Sequence, residues 1–361
     1  MDELELIDDL RARHGTFFRR GPGVLYVGEP AAAKAVLANN DAHYHDHSDF
    51  FHTSKGILGP RSAQLEIGRA ARNLLRDHWL RHRADAARFI GPTSDWPDTG
   101  NLVLYRCFRE VLAPGPELAD LIDQVVRHAV VAGARERRSP LTRFVLRTRV
   151  RRALVAELAA RRARGVPDQK DLLDILATSA PDAPLAQLAE VYLSCLFAIT
   201  GSMGFLLGWS IYLRGTAPPT DADPVAVVRE ALRLWPVAWN FGRRPAHPHH
   251  LGDVPVSTTD EVVVCGYLVH RDERHWPDPA AFRPDRWTDG IPPGGTSAFI
   301  PFGWGQHSCV AAALAVQVVA DILRQLPDRW QVEAHHHRPH VAAALAPPNF
   351  TLRTHGTGKG R

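Results

Sequence analysis

Apolar residues recur at helical spacing over most of this chain, while alternation of the β type is confined to short runs. The pattern predicts a helix over 3–14, two short strands near 16–18 and 24–27 turning at Gly21 to Gly23, and a helix over 30–39. The His-rich stretch 42–54 reads as loop. From Leu65 onward, helices are predicted near 65–91, 102–112, 116–132, 141–164, 170–178, 185–214, 223–234 and 310–325. Between 241 and 266, runs such as Glu261–Cys265 alternate with turn residues. No repeat, low-complexity tract or linker interrupts the series. The expected fold is mainly α with a small β portion, built as a single domain over 1–361.

One predicted helix raises the question of a membrane. Residues 191–213 carry no charged side chain, a length that meets the rule for a bilayer span, and Gly201, Gly204 and Gly208 beside Ser202 would suit membrane packing. As a single segment of this kind, it reads instead as a helix buried on all sides in a large core. The N-terminus, MDELELIDDL, is acidic and lacks the order of a signal peptide. A cytoplasmic protein with no membrane partner is expected.

Charge and cysteine content narrow the picture. Of 361 residues 43 are basic, only four of them Lys, and the net charge of +4 is too mild to imply a polyanion partner; no nucleic acid is expected. Within the Arg-dense segment 135–164, Leu141, Val145, Leu154, Val155 and Leu158 recur near helical spacing, which reads as a solvated amphipathic helix. The four cysteines (Cys107, Cys195, Cys265, Cys309) show no CxxC pairing, which argues against a disulfide framework or a structural zinc site.

The most informative stretch runs Phe302-Gly-Trp-Gly-Gln-His-Ser-Cys309-Val-Ala311 and leads into an apolar helix. Gly303 and Gly305 allow a tight turn around the sulfur, the helix start favours a thiolate, and Phe302 can shield it from water. A shielded, hydrogen-bonded thiolate is what an iron porphyrin needs as an electron-donating axial ligand. The order Phe, Gly, Gly, His, Cys, small residue resembles the haem-binding signature of the cytochrome P450 family. It departs where the family usually has Gly and this chain has Ala311.

Further elements follow in the family's order. Glu230-Ala-Leu-Arg233 resembles the ExxR motif, and His270-Arg-Asp with Trp276-Pro-Asp-Pro-Ala-Ala-Phe-Arg-Pro-Asp-Arg286-Trp287 resembles the meander. The resemblance implies a compact, soluble, bacterial cytochrome P450 fold with haem b (iron protoporphyrin IX) held by Cys309. It implies a structural triad of Glu230, Arg233 and Arg286, and propionate partners at His307, Arg72 and Arg244, with Arg243 or Arg76 able to substitute. Only some 16 residues separate Leu213 from Glu230, where family members carry additional helices.

The helix over 185–214 aligns with the family's distal helix, which usually carries an acid followed by Thr for proton delivery. Here Gly201 takes the acid position and Ser202 the alcohol position, with Thr200 the neighbouring hydroxyl. Candidate substrate-facing stretches are 45–57, 197–205, 237–241 and 342–350, with Phe50, Phe51, Trp239 and Phe241 as aromatic linings. The implied activity is a monooxygenase tailoring a small-molecule or peptide-like natural product of bacterial secondary metabolism, with electrons from a ferredoxin and its reductase. The alternatives are haem-thiolate chemistry of another kind (oxidative coupling, ring formation, dehydration or peroxide-driven oxidation) and a haem-binding sensor without turnover.

Overall fold

The computed structural model describes residues 3–354 apart from 47, 49, 114, 131–139, 289 and 328. The chain folds as two units, each gathered from separated stretches. One comprises Met1–His47, Thr216–Cys309 and Pro339–Ala346; the other comprises Ser48–Gly215, Val310–Arg338 and Pro347–Arg361.

In the first unit the continuous apolar run of Glu261–Cys265 suits a strand inside a sheet with both faces covered. Four strands lie in the order Phe17–Gly21, Val24–Val27, Glu261–Cys265 and Asn240–Arg243. Val24–Val27 runs parallel to Glu261–Cys265, and the other pairings are antiparallel. Leu25, Val27, Val262, Val264 and Phe241 face one core, closed by Trp276, Trp287 and Ile300. Tyr26, Val263 and Cys265 face the other, with Phe18, Trp239, Leu268 and Leu345. The first strand extends beyond its predicted end to Gly21.

The second unit is mostly helical. The 22-residue helix Arg61–His82 starts earlier than predicted and is followed by a tighter 3₁₀ segment, Arg83–Phe89. Helices Asp98–Leu112, Pro116–Val125, Pro140–Arg164 and Leu172–Ser179 follow. The region predicted as one helix over 116–132 widens into a π-type turn at Val126–Val130, and 131–132 lie outside the described residues. In Pro140–Arg164 the buried stripe is Leu146, Val150, Leu154 and Leu158, continued by Arg161. Leu141 and Val145, expected on that stripe, are exposed instead. The first part of the Arg-dense segment, 135–139, is outside the described residues. Arg161 is buried against Asp171 at 2.6 Å and against Asp174, while Asp171 caps the next helix by accepting from the Asp174 N–H.

The uncharged stretch forms the helical run Leu185–Leu196, Phe197–Ser202 and Met203–Thr216, long and apolar enough to cross a membrane but mostly buried here. Its glycines serve close packing inside the unit. A Cβ on Gly204 would come within 2.6 Å of Asn101 Nδ2, and one on Gly208 within 2.8 Å of Pro347. The run ends at Thr216 and the next helix, Pro224–Leu234, begins after a short connection without a helix. A sheet that the hydrophobic pattern did not predict pairs Trp330–Ala334 with Phe350–Thr354, and that strand with Thr93–Trp96.

Candidate haem-thiolate site

The Cys309 loop is folded by three main-chain hydrogen bonds, a fourth from a main-chain amide to a side chain, and two left-handed glycines. Gly303 N–H donates to the Ile300 carbonyl, Ser308 N–H to Gly305, and Cys309 N–H to Phe302 at 2.9 Å. Gly303 and Gly305 have φ of +75° and +72°, a region that L side chains rarely adopt. Gly305 also lies so close to Ala38 that a Cβ would fall 2.9 Å from its Cα, seating the loop on the helix Pro30–Ala38. From that helix Lys34 reaches over the Trp304 ring at 3.9 Å and donates to the Thr296 carbonyl. The fourth bond ties the loop's entry: Ile300 N–H donates to Nε2 of the fully buried His270.

Of the four cysteines, Cys309 alone is exposed. Burial pushes the thiols of Cys107, Cys195 and Cys265 up to about 12, so those three stay protonated. Val310, next in the chain, is 44% exposed. The helix that follows starts at Ala312. Its cap residue Ala311 has φ −102°, so the family's usual Gly is not required by the backbone here. An exposed thiol just before a helix start, in a glycine turn and beside apolar surface, fits the axial ligation of a porphyrin iron.

Behind the loop lies a buried charge network. Glu230 and Arg233 are fully buried on one face of Pro224–Leu234 and pair at 2.7 Å. Glu230 also accepts from Arg286 Nε at 3.3 Å, Trp287 Nε1 at 3.0 Å and the Arg283 N–H at 3.0 Å. Arg233 donates to the carbonyls of His270, Pro279 and Ala281. The three residues of the predicted triad thus meet around one carboxylate. Their network reaches the cysteine loop through His270, which bonds Arg233 by its carbonyl and Ile300 by its ring. Sequence reasoning quoted His270 only as part of the meander. Its ring Nδ1 has no partner among the described residues, and burial lowers its pKa to about 3.

The candidate cations differ in exposure. Arg244 is exposed, whereas the alternative Arg243 is buried and donates to the Gly242 carbonyl. His307 is half-buried in the loop. In the other unit Arg72 is half-buried and reaches Asn73, while the alternative Arg76 is tied to Asp77. Within the unit that carries Cys309, a soft thiolate donor with the exposed Arg244 and the half-buried His307 is a donor set that suits an iron porphyrin carrying propionates.

In the distal run the helix widens to a π-type turn over Phe197–Ser202, a feature common at functional sites. Asn101, fully buried on the helix Asp98–Leu112, donates from Nδ2 to the carbonyls of both Thr200 and Gly201. This residue was missed in the sequence, because nothing local marks an Asn that acts on a segment 99 positions away. Thr200 is fully buried and its hydroxyl donates back to the Leu196 carbonyl at 2.7 Å; Ser202 is half-buried.

Among the substrate-facing candidates, Trp239 and Phe241 are both buried, in the two cores on opposite faces of the sheet. Trp239 donates to the Ala342 carbonyl. Phe51 is buried and packs edge-on against Phe50. Ser54, between the strands His52–Thr53 and Gly56–Ile57, is bonded to Glu190. Within 45–57, His47 and Asp49 are outside the described residues.

Comparison with known proteins agrees with this geometry. Residues 225–350 match the family model of the cytochrome P450s. A 108-residue stretch is 36% identical to the mitochondrial 25-hydroxyvitamin D-1 alpha hydroxylase of Homo sapiens, covering 30% of this chain and 21% of that protein. A 126-residue stretch is 32% identical to the cyclooctatin synthase of Streptomyces melanosporofaciens, covering 33% and 28%. The matched stretch thus spans less than a third of either relative. Among solved structures, P450 OxyD, involved in the biosynthesis of vancomycin-type antibiotics, superposes with a TM-score of 0.77 at 18% identity, over 98% of this chain and 97% of that one. The open form of cytochrome P450 EryK from S. erythraea gives 0.74 at 19% identity, over 99% and 98%.

The fold is therefore that of the cytochrome P450s, mainly α with a small β portion. Residues 225–350 in particular match the model of that family, whose members hold haem b.

Proposed function

We propose that the whole chain acts as one haem-thiolate domain, a monooxygenase that tailors a small-molecule or peptide-like natural product. The observation that carries this reading is the exposed Cys309 thiol, held in a glycine turn whose entry is anchored to the Glu230 network. Solved neighbours of similar fold include tailoring enzymes, among them a post-tailoring hydroxylase of himastatin biosynthesis. When bound, haem supplies oxygen activation driven by electrons delivered from a ferredoxin and its reductase.

The chain's own residues do the rest. Cys309 serves as the thiolate ligand, presented by the turn that Phe302 and Gly303 shape. His307, Arg72 and Arg244 neutralise the two propionates by charge-assisted hydrogen bonds. Glu230, Arg233 and Arg286 hold the scaffold and take no part in chemistry. Trp239 and Phe241 shape the substrate side, each from its own core on opposite faces of the sheet. On the distal side Ser202 moves protons inward, and Thr200, whose hydroxyl already serves the Leu196 carbonyl, is the lesser relay.

The missing acid at Gly201 favours a second reading, in which the same site performs coupling, ring formation or peroxide-driven oxidation. Turnover of a binding compound under ¹⁸O-labelled dioxygen separates the two. Product heavier by one labelled oxygen supports the monooxygenase; product without label supports the second reading. Protein that takes up haem but consumes no oxygen with any binding compound would fit a sensor.

A further inference from the structure

Two helix ends that the haem chemistry does not use converge on a cluster of metal-ligating side chains. His78 and His82 stand one turn apart at the end of Arg61–His82, and Glu110 lies in the last turn of Asp98–Leu112. Each offers one ligand atom, and these atoms all lie within 4.8 Å of one another.

The hydrogen bonds around the two imidazoles fix which nitrogens are available. His78 Nε2 lies 2.8 Å from the Cys107 carbonyl and His82 Nδ1 lies 3.1 Å from the His78 carbonyl. A carbonyl only accepts, so both ring nitrogens carry the proton. Nδ1 of His78 and Nε2 of His82 are left with bare lone pairs. An imidazole whose second N–H is tied to a backbone carbonyl is the arrangement that orients metal-binding histidines in general. His78 is only 3% exposed and its ring packs beside Phe108, so one ligand is already locked; His82 and Glu110 are exposed and can rotate.

Charge points the same way, although Arg81 is close by. Two helix C-termini meet here, and each presents partial negative charge at its last carbonyls. Metal–nitrogen bonds of about 2.0–2.1 Å require ligand atoms closer together than their present limit, a gap that rotation of the two exposed side chains closes.

We propose that His78, His82 and Glu110 bind a borderline divalent cation of the zinc class, with water completing the shell, and so clamp the ends of these two helices together. Two imidazoles and one carboxylate select zinc over calcium or magnesium, which prefer all-oxygen sites. The clamped helices are the ones that carry Arg72 and Asn101.

The test uses the full-length, haem-loaded protein, stripped with a chelator and titrated with Zn²⁺ alone by calorimetry, beside His82→Ala and Glu110→Ala. Both substituted residues are exposed, so the metal-free variants should melt where the wild type does. The proposal expects one equivalent bound by the wild type, at least tenfold weaker binding in each variant, and a zinc-induced rise in Tm confined to the wild type. The differences between proteins isolate this site from the other His clusters, at His43, His247 and His249 and at 335–340. Equal affinity in all three proteins, or no binding by the wild type, would overturn it.

Discussion

Asn101 donates its side-chain amide to the main-chain carbonyl of Thr200 at 3.0 Å, and the same nitrogen reaches the carbonyl of Gly201 at 3.1 Å. A widened helical turn frees carbonyls from the regular ladder, and a buried carbonyl without a donor is costly. This one amide therefore lets the distal helix keep its π-type turn at the position where the family's acid is missing.

Replacing it with the near-isosteric leucine removes this donor from both carbonyls. Asn101→Leu should destabilise the protein by about 1–3 kcal/mol, toward the lower end because the amide Oδ1, itself without a partner among the described residues, is removed too. Urea unfolding measures this. An unchanged midpoint would mean that the turn does not depend on Asn101.

His270 gives the protein an acid-sensitive joint. Burial holds its pKa at about 3, against the ordinary 6.5 of an unfolded chain. Between those values the unfolded state binds a proton that the folded state refuses. The stability this residue contributes is complete above pH 6.5 and is lost as pH falls toward 3, by up to about 1.4 kcal/mol per pH unit. His270→Gln keeps an acceptor for the Ile300 N–H and has no such proton. Its stability should fall less steeply than the wild type's over this window, and parallel curves would contradict the assignment.

The Glu230 network should behave as scaffold. Removing one partner of a buried charge network costs about 3–5 kcal/mol, because the others are left unpaired. Glu230→Ala should lose Arg233, Arg286 and Trp287 contacts together, and be recovered in low yield with little haem. A well-folded, haem-replete Glu230→Ala protein with altered turnover alone would make Glu230 a participant in the chemistry.

The two distal hydroxyls should separate. Thr200→Ala removes a buried hydroxyl that serves the helix backbone and should act on stability. Ser202→Ala should instead slow coupled turnover or divert reducing equivalents to peroxide, since a positioned proton-transfer group contributes ~10²–10⁴-fold. Measuring peroxide released per NADH consumed in both variants checks the division. Peroxide release that rises in Thr200→Ala and not in Ser202→Ala would reverse the roles.

Much of this protein is legible where local rules govern. The helices follow from apolar spacing, and the strand Glu261–Cys265 follows from a valine run bounded by turn residues. The cysteine loop carries its own signature in Gly303, Gly305 and Cys309. What escaped depends on partners distant in sequence. Thr93–Trp96 is a polar stretch that becomes a strand only beside Phe350–Thr354. The break at Phe197–Ser202 is supported by Asn101 from another helix. Leu141 and Val145 follow the helical spacing yet lie outside the stripe that the fold buries. The triad, by contrast, was readable through the family's motifs, and its residues do converge on Glu230.

Ligation by Cys309 is the claim on which the rest depends, and one spectrum tests it. Haem-loaded protein, reduced and exposed to carbon monoxide, should show the red-shifted Soret band that marks thiolate ligation. Cys309→Ala should lose that band, while replacement of Cys107, Cys195 or Cys265, each held protonated, should leave it in place. A Cys309→Ala protein that keeps the shifted band would contradict the account.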